Sequence, residues 1–193
     1  MPRYDKSLGQ HHLVGGHLCR PLLDFLLPPV EPTEQAPGSD LVLEIGPGGG
    51  VLTGELLAAG YRVVAWELDQ AWAFELCRRY PSPRLTVVVG DAIHIPWDRL
   101  PRGSQMAGNL PYQVATVLVR QVLGHPGRIP RAAVLVQKEV GERLVAKPGD
   151  KPYGALSVHA AASARVRWLG KVKKGSFFPP PKVDGAFVGF ELR

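Results

Sequence analysis

The sequence predicts an α/β protein built on a Rossmann-like, mostly parallel sheet. Three observations predict it. Strand and helix signals alternate between residues 41 and 89. A glycine loop, Gly46-Pro47-Gly48-Gly49-Gly50, joins the first of these strands to the first helix. Two carboxylates, Glu67 and Asp91, fall at the ends of the next two strands.

The elements follow in order. Residues 17–27 read as a helix, ended by Pro28, Pro29, Pro32 and Pro37, because proline cannot continue a helix and disfavours α geometry before it. Leu41-Val42-Leu43-Glu44-Ile45 is a short apolar run, the mark of a buried strand. A helix over 51–59 closes at Gly60, a residue suited to the left-handed C-terminal position. A strand over 62–66, a helix over 70–79 and a strand over 85–89 complete two crossovers, which imply parallel pairing. A strand over 105–107 precedes Asn109. A strand over 132–137 runs into a helix over 138–146. Strands over 165–172 and 186–192, joined by a proline-rich loop, form a terminal hairpin-like pair that breaks the alternation.

Composition fits one soluble domain. The chain has 193 residues, 45% hydrophobic and 21% charged, enough to bury a core. The net charge of +6 favours a polyanionic partner. Cys19 and Cys77 lie far apart and outside any metal-binding spacing, so both read as small buried hydrophobes in a reducing compartment, and no metal is expected. The polar residues 1–10 lack the apolar core of a signal peptide. The apolar stretch 22–27 is far shorter than the ~20 residues of a membrane span. A cytoplasmic monomer is expected.

The glycine loop lets a ligand approach the backbone at a helix start. It departs from the dinucleotide pattern, since Val51 stands where the third glycine belongs, and Pro47 removes an N–H that a phosphate cradle would use. Glu67, some twenty residues on, suits ribose hydroxyls, and Asp91 suits an adenine amine. Together they describe an adenosine ligand without a pyrophosphate.

Asn109-Leu110-Pro111-Tyr112 follows the fourth strand. An adenine amine is a poor nucleophile because its lone pair is delocalised. The Asn109 oxygen and the Leu110 carbonyl offer two acceptors for its hydrogens, Pro111 restrains Leu110, and Tyr112 offers a stacking face. Transfer of a methyl from a sulfonium then needs alignment and electrostatics and no metal.

In this order the motifs resemble the ribosomal RNA adenine N6-dimethyltransferases, the KsgA/Erm-like family. The resemblance runs from Ser7 to Leu192. It is carried by Gly9-Gln10-His11-His12-Leu13, Leu43-Glu44-Ile45-Gly46-Pro47-Gly48, Glu67-Leu68-Asp69, Gly90-Asp91-Ala92 and Asn109-Leu110-Pro111-Tyr112. Gln137-Lys138-Glu139-Val140, Glu142-Arg143-Leu144 and the run from Phe177 to Asp184 complete it. It implies a class I S-adenosylmethionine-dependent methyltransferase fold, with a mostly parallel seven-stranded sheet and a terminal antiparallel strand. It implies S-adenosylmethionine as cofactor, held by Gln10, His11, Leu13, Gly46, Gly48, Glu67, Leu68, Asp91, Ala92 and Asn109. The target adenine would meet Asn109, Leu110, Pro111 and Tyr112, with Phe177 on its other face. Ribosomal RNA or a ribosomal subunit precursor is the implied partner, and N6-methylation, through to dimethylation, the implied activity.

Two departures stand out. The family's first motif usually reads Gln-Asn-Phe-Leu followed by an acidic position, where this chain has His11, His12 and a glycine. The family usually continues into a small helical RNA-selecting domain, so residues 1–193 read as a single methyltransferase domain without it, 1–39 carrying the cofactor-lid motif. Arg143 and Lys147, one helical turn apart, and Lys173, Lys174 and Lys182 around Phe177, read as RNA contacts, with Lys138 and Lys171 nearby. Trp66, Trp72, Trp97 and Trp168 read as packing. Methylases of DNA adenine or protein glutamine tend to carry a second proline in place of Leu110. The alternative of another class is a non-catalytic or weakly active RNA-binding protein that retains the fold; the His11-His12 motif favours it, and Asn109 and Tyr112 oppose it.

Overall fold

A computed structural model describes Pro2 and residues 10–193; Ser7 and Gly9 of the motif order lie outside the described residues. Seven strands form one sheet in the order β4-β3-β2-β5-β6-β9-β7, with β2 Leu41–Ile45, β3 Arg62–Glu67, β4 Leu85–Val89, β5 Gln105–Asn109, β6 Arg131–Gln137, β7 Ala164–Val172 and β9 Gly185–Leu192. The five strands from β4 to β6 are parallel, and β9 pairs antiparallel with both β6 and β7. The last strand therefore inserts one place in from the edge. A second sheet of two short strands, β1 His12–Leu13 and β8 Phe177–Phe178, ties the N-terminal segment to the proline-rich loop.

Every residue of β2 is buried because the sheet is covered on both faces. Successive side chains alternate, so Leu43 and Ile45 join a core with Met106, Val134 and Phe190, while Val42 joins another with Ala107, Ala133 and Leu135. Helices α4 Ala115–Leu123, α5 Lys138–Val145 and α6 Ala155–Ser163 cover the first face through Leu118, Leu144 and Leu156. Helices α1 Arg20–Leu23, α2 Val51–Ala58 and α3 Gln70–Arg79 cover the second through Leu22, Leu56 and Leu76. Each such leucine contributes about 1.5–3 kcal/mol by leaving water.

Several expectations are corrected. Residues 17–27 form a 3-10 turn, Gly16–Cys19, followed by the one-turn α1, because Pro21 carries no N–H to extend an α ladder from the preceding turn. The fourth strand reaches Asn109, two residues beyond the short apolar signal. Helix α5 stops at Val145, and Ala146 is extended, so Lys147 does not share a helical face with Arg143; Pro148 disfavours helical geometry at Lys147. Cys19 is buried as expected but Cys77 is exposed, on the outer face of α3. Two helices carry no clear mark in the sequence: α4 is rich in β-branched valine, and α6 starts at Gly154.

Candidate active site

The carboxyl ends of β2, β3 and β5 meet at one crevice, and β4, parallel to β3, ends on the same side of the sheet. Gly46 and Gly48 take φ of 66° and 49°, which other residues adopt at a cost. The turn they make lets the Glu67 carboxylate, buried at the end of β3, accept the Gly48 N–H through Oε2 at 2.9 Å and the Asp69 N–H through Oε1 at 3.0 Å. Burial raises the Glu67 pKa, and these two bonds oppose that. Asp69 starts α3, its Oδ1 accepting from the N–H of Ala71 at 2.8 Å and of Trp72 at 3.3 Å. Its Oδ2 accepts from Gln10 Nε2 at 3.1 Å, and Gln10 Oε1 accepts from the Trp72 indole at 3.3 Å. Gln10 is thus anchored beside the glycine loop. Asp91 Oδ1 accepts the Ile93 N–H at 3.0 Å and opens the single turn Ala92–His94. Leu68, just after β3, is half exposed.

The strap from His11 to Leu13 crosses this crevice, and its extended backbone sends its two histidines opposite ways. His12 faces the glycine loop. Its Nδ1 accepts the Gly49 N–H at 3.2 Å, and its ring stands edge-on to Trp72 at 4.6 Å. A Cβ on Gly48 would lie 2.3 Å from His12 Nε2, so another residue would displace that ring as well as strain the turn. Burial, then the neighbouring His11, push the His12 pKa down to about 4, against the pull of Asp69. His12 is therefore neutral at pH 7. Leu13 is buried in the core behind the loop.

His11 faces the other wall. Its Nδ1 lies 2.8 Å from the Pro179 carbonyl, its ring centroid 5.6 Å from that of Tyr112, and its own carbonyl accepts Asn109 Nδ2 at 2.6 Å. That last bond commits the Asn109 amide nitrogen to the strap; Asn109 Oδ1 takes no hydrogen bond from the described residues. The Leu110 N–H is held by the Leu135 carbonyl at 3.0 Å, while the Pro111 carbonyl caps the start of α4. The turn is pinned at both ends. Tyr112 Oη is buried and finds no hydrogen-bond partner among the described residues, and burial followed by Asp184 pushes its pKa up to about 12.

Gln10, His11, Gly46, Gly48, Glu67, Asn109, Leu110, Pro111 and Tyr112 share this crevice; Leu13 lines a smaller cavity beside it with Gly46 and Asn109. Asp91, Ala92 and Leu68 line neither cavity; they follow the ends of β4 and β3. With the strap in place the two cavities are about 40 and 20 Å³, room for water but not for a nucleoside. Phe177 does not join them. It is buried in the core against Gly185 and Leu135, and the exposed ring is its neighbour Phe178, because side chains along β8 alternate. Glu44 is a further residue of the site. Its carboxyl is fully buried beside the smaller cavity, accepts the Thr53 hydroxyl at 2.6 Å, and is raised to about 8 by burial and then by Glu67, the hydrogen bond opposing. An acid inside an otherwise apolar strand was the available signal.

The cations divide. Lys138 pairs with Glu142 at 2.6 Å and Lys171 with Asp184 at 2.8 Å. Lys173, Lys174 and Lys182 are exposed around β8, and Arg143 and Lys147 are exposed on and beyond α5; none of the five makes a salt bridge among the described residues. No helix among the described residues is long and apolar enough to cross a membrane, and no cluster of three metal-ligating side chains occurs among them.

The family model described as ribosomal RNA adenine dimethylase matches residues 4–193. A ribosomal RNA small subunit methyltransferase A of Deinococcus radiodurans is 41% identical over 97% of this chain and 61% of its own length. A ribosomal RNA small subunit methyltransferase of Arabidopsis thaliana is 42% identical over 98% of this chain and 52% of its own. This chain thus spans roughly half to two thirds of these two relatives; for a Nitratidesulfovibrio vulgaris relative, 39% identical, the share is 71%. Among solved structures, a dimethyladenosine transferase from Plasmodium falciparum superposes with a TM-score of 0.81 at 28% identity, over 95% of this chain and 64% of that one. The 23S rRNA methyltransferase ErmE superposes with a TM-score of 0.73 at 25% identity, over 99% and 69%.

Proposed function

Since the chain belongs to the ribosomal RNA adenine dimethylase family, we propose that it transfers methyl groups from S-adenosylmethionine to N6 of an adenine in ribosomal RNA or a subunit precursor. One observation carries the reading: Glu67 at the end of β3 and the Asn109–Tyr112 turn after β5 share a single crevice with two left-handed glycines.

The donor set suits S-adenosylmethionine. Glu67 retains lone pairs for ribose hydroxyls, and the second oxygen of Asp91 suits an adenine amine. Gln10, Leu13, Leu68 and Ala92 would complete its walls. When bound, the cofactor supplies a methyl made electrophilic by a sulfonium. The chain does the rest. Asn109 Oδ1 and the Leu110 carbonyl hold the two amine hydrogens and favour a tetrahedral nitrogen. Pro111 keeps the Leu110 carbonyl aimed, and Tyr112 stacks on the base. With Phe177 in the core, Phe178 takes the role of the second aromatic face. Lys173, Lys174, Lys182, Arg143 and Lys147 draw in the RNA backbone. Entry of a nucleoside requires the His12 ring to leave the glycine loop, a side-chain rotation that costs the bond to Gly49. The enzyme acts as a cytoplasmic monomer in this reading, with Cys19 kept reduced and inert by burial.

Incubation with methyl-labelled donor and protein-free or subunit-bound ribosomal RNA, followed by nucleoside analysis, tests the proposal. N6-methylated adenosine that vanishes with Asn109→Ala supports it. Donor binding without transfer to either RNA points instead to an RNA-binding protein that retains the fold.

A further inference from the structure

We infer that His11 takes the proton released by the target amine. The inference rests on the adenine-methylation reading and adds a residue to it.

Three observations place His11 for this role. His11 lines the same cavity as Asn109, Leu110 and Tyr112, and its ring centroid lies 5.6 Å from that of Tyr112. Its carbonyl, through Asn109 Nδ2 at 2.6 Å, orients the side chain that would hold the amine. Its Nδ1 lies 2.8 Å from the Pro179 carbonyl, which can only accept, so Nδ1 carries the hydrogen of the neutral ring and Nε2 keeps the lone pair. That Nε2 has no hydrogen-bond partner among the described residues. The tautomer needed for proton uptake is thus built in by the proline-rich loop. His12, one residue on, has the reverse arrangement: its Nδ1 accepts from Gly49, on the cofactor side.

The chemistry balances. As nitrogen forms its bond to the methyl carbon, the sulfur–carbon bond breaks, and its electron pair stays on sulfur, which leaves as a neutral thioether. Nitrogen then has four bonds and a positive charge. One N–H bond breaks, its electrons return to nitrogen, and the proton passes to His11 Nε2 and later to solvent. A second methylation repeats the step, so the base must be restored between the two. In a crevice closed by the strap, a fixed acceptor replaces water in this task.

The titratable groups around His11 are His12 on its own strap, Glu67 and Asp69 from the end of β3, Tyr112 from the turn and Asp184 behind Tyr112. His12 titrates near 4, and Tyr112 near 12, both outside the range of the test.

The experiment uses the whole chain, S-adenosylmethionine and an unmethylated small-subunit ribosomal RNA transcript. Single-turnover transfer is followed from pH 5.5 to 9 for the wild type, His11→Asn, His11→Phe and His12→Asn. Donor affinity is measured separately by calorimetry. The wild-type rate is expected to fall on the acid side, where an imidazole takes up its second proton. His11→Asn and His11→Phe are expected to lose that acid limb and roughly ten- to a hundredfold in rate at pH 8, at or below the usual general-base contribution because the ammonium formed is itself a strong acid. Their donor affinity stays within about twofold, and His12→Asn keeps the acid limb. An acid limb that persists in both His11 variants, or a loss of rate matched by an equal loss of donor affinity, overturns the inference. A wild type that methylates adenine with a flat pH profile overturns it while leaving the proposed function standing; a wild type that binds donor and methylates no adenine removes both.

Discussion

The two walls of the crevice are built on opposite principles. On the side proposed for the cofactor, the polar groups around the glycine loop are partnered inside the protein: Glu67 with two backbone N–H groups, Asp69 with α3 and Gln10, Gln10 with Trp72, His12 with Gly49. On the side proposed for the substrate, valences stay open among the described residues: Asn109 Oδ1, His11 Nε2 and the buried Tyr112 Oη. The first wall is a preorganised shell that exchanges internal bonds for a ligand's. The second carries the cost of one buried unpartnered hydroxyl, Tyr112 Oη, which an incoming base would relieve. In the proposed reaction, preorganisation would support the binding of the cofactor, while the open valences would face the reacting atoms.

The largest effect that would break this contrast comes from Asn109→Ala. It removes an open acceptor, so methyl transfer should fall about 10²–10³-fold in single-turnover assays, while donor affinity changes far less. An equal loss in both would mean the walls are not separable. Glu67→Ala should do the reverse in binding: roughly ten- to a hundredfold weaker affinity for the methyl donor by calorimetry, as expected for charge-assisted hydrogen bonds, together with a lower Tm from the released Gly48 and Asp69 N–H groups.

Two pH effects sharpen the contrast. His12 has a folded pKa near 4, below its ordinary 6.5, so the docked strap gains stability that is present above 6.5 and lost as pH falls through 4. Trp72 fluorescence should report the His12 ring leaving in that window, and His12→Asn should abolish the change. Glu44 behaves oppositely. Its folded pKa near 8 exceeds the ordinary 4.5, so its contribution is complete below 4.5 and is lost as pH rises through 8. The Tm of Glu44→Gln relative to wild type should therefore climb between pH 4.5 and 8; a flat difference would mean the acid is ionised in the fold.

Tyr112→Phe is the smallest. Deleting a hydroxyl that lacks a partner among the described residues should leave Tm unchanged or raise it, by at most about 1 kcal/mol in stability. Transfer should fall a few-fold if the open valence serves the base. A clear loss of stability would show that the hydroxyl is already satisfied.

How far the sequence could be read differs by element. The strands β2 and β4 and the helix α3 were legible to the residue, because an apolar run or a capped amphipathic pattern leaves its own signature. Helix α4, with its valines, and the one-turn α1, interrupted by Pro21, were not, because tertiary packing outweighs weak local preference. Among the candidate residues, the strand-end acids and the Asn109–Tyr112 turn could be named from their order along the chain. Phe177 and Phe178 could not be told apart, since which of two adjacent rings is buried depends on the register of β8 against β1.

The sequence by itself determined the alternation of strands and helices, the glycine turn and the acids and amide that follow successive strands, because these are properties of local backbone preference and spacing. Only the tertiary structure decided that His11 and His12 face opposite walls, that the last strand slips between β6 and β7, and that Glu44 lies buried beside the loop with its pKa raised. Those outcomes depend on what is packed against each group from far along the chain, and neither the dielectric around a side chain nor its hydrogen-bond partners is written in its neighbours.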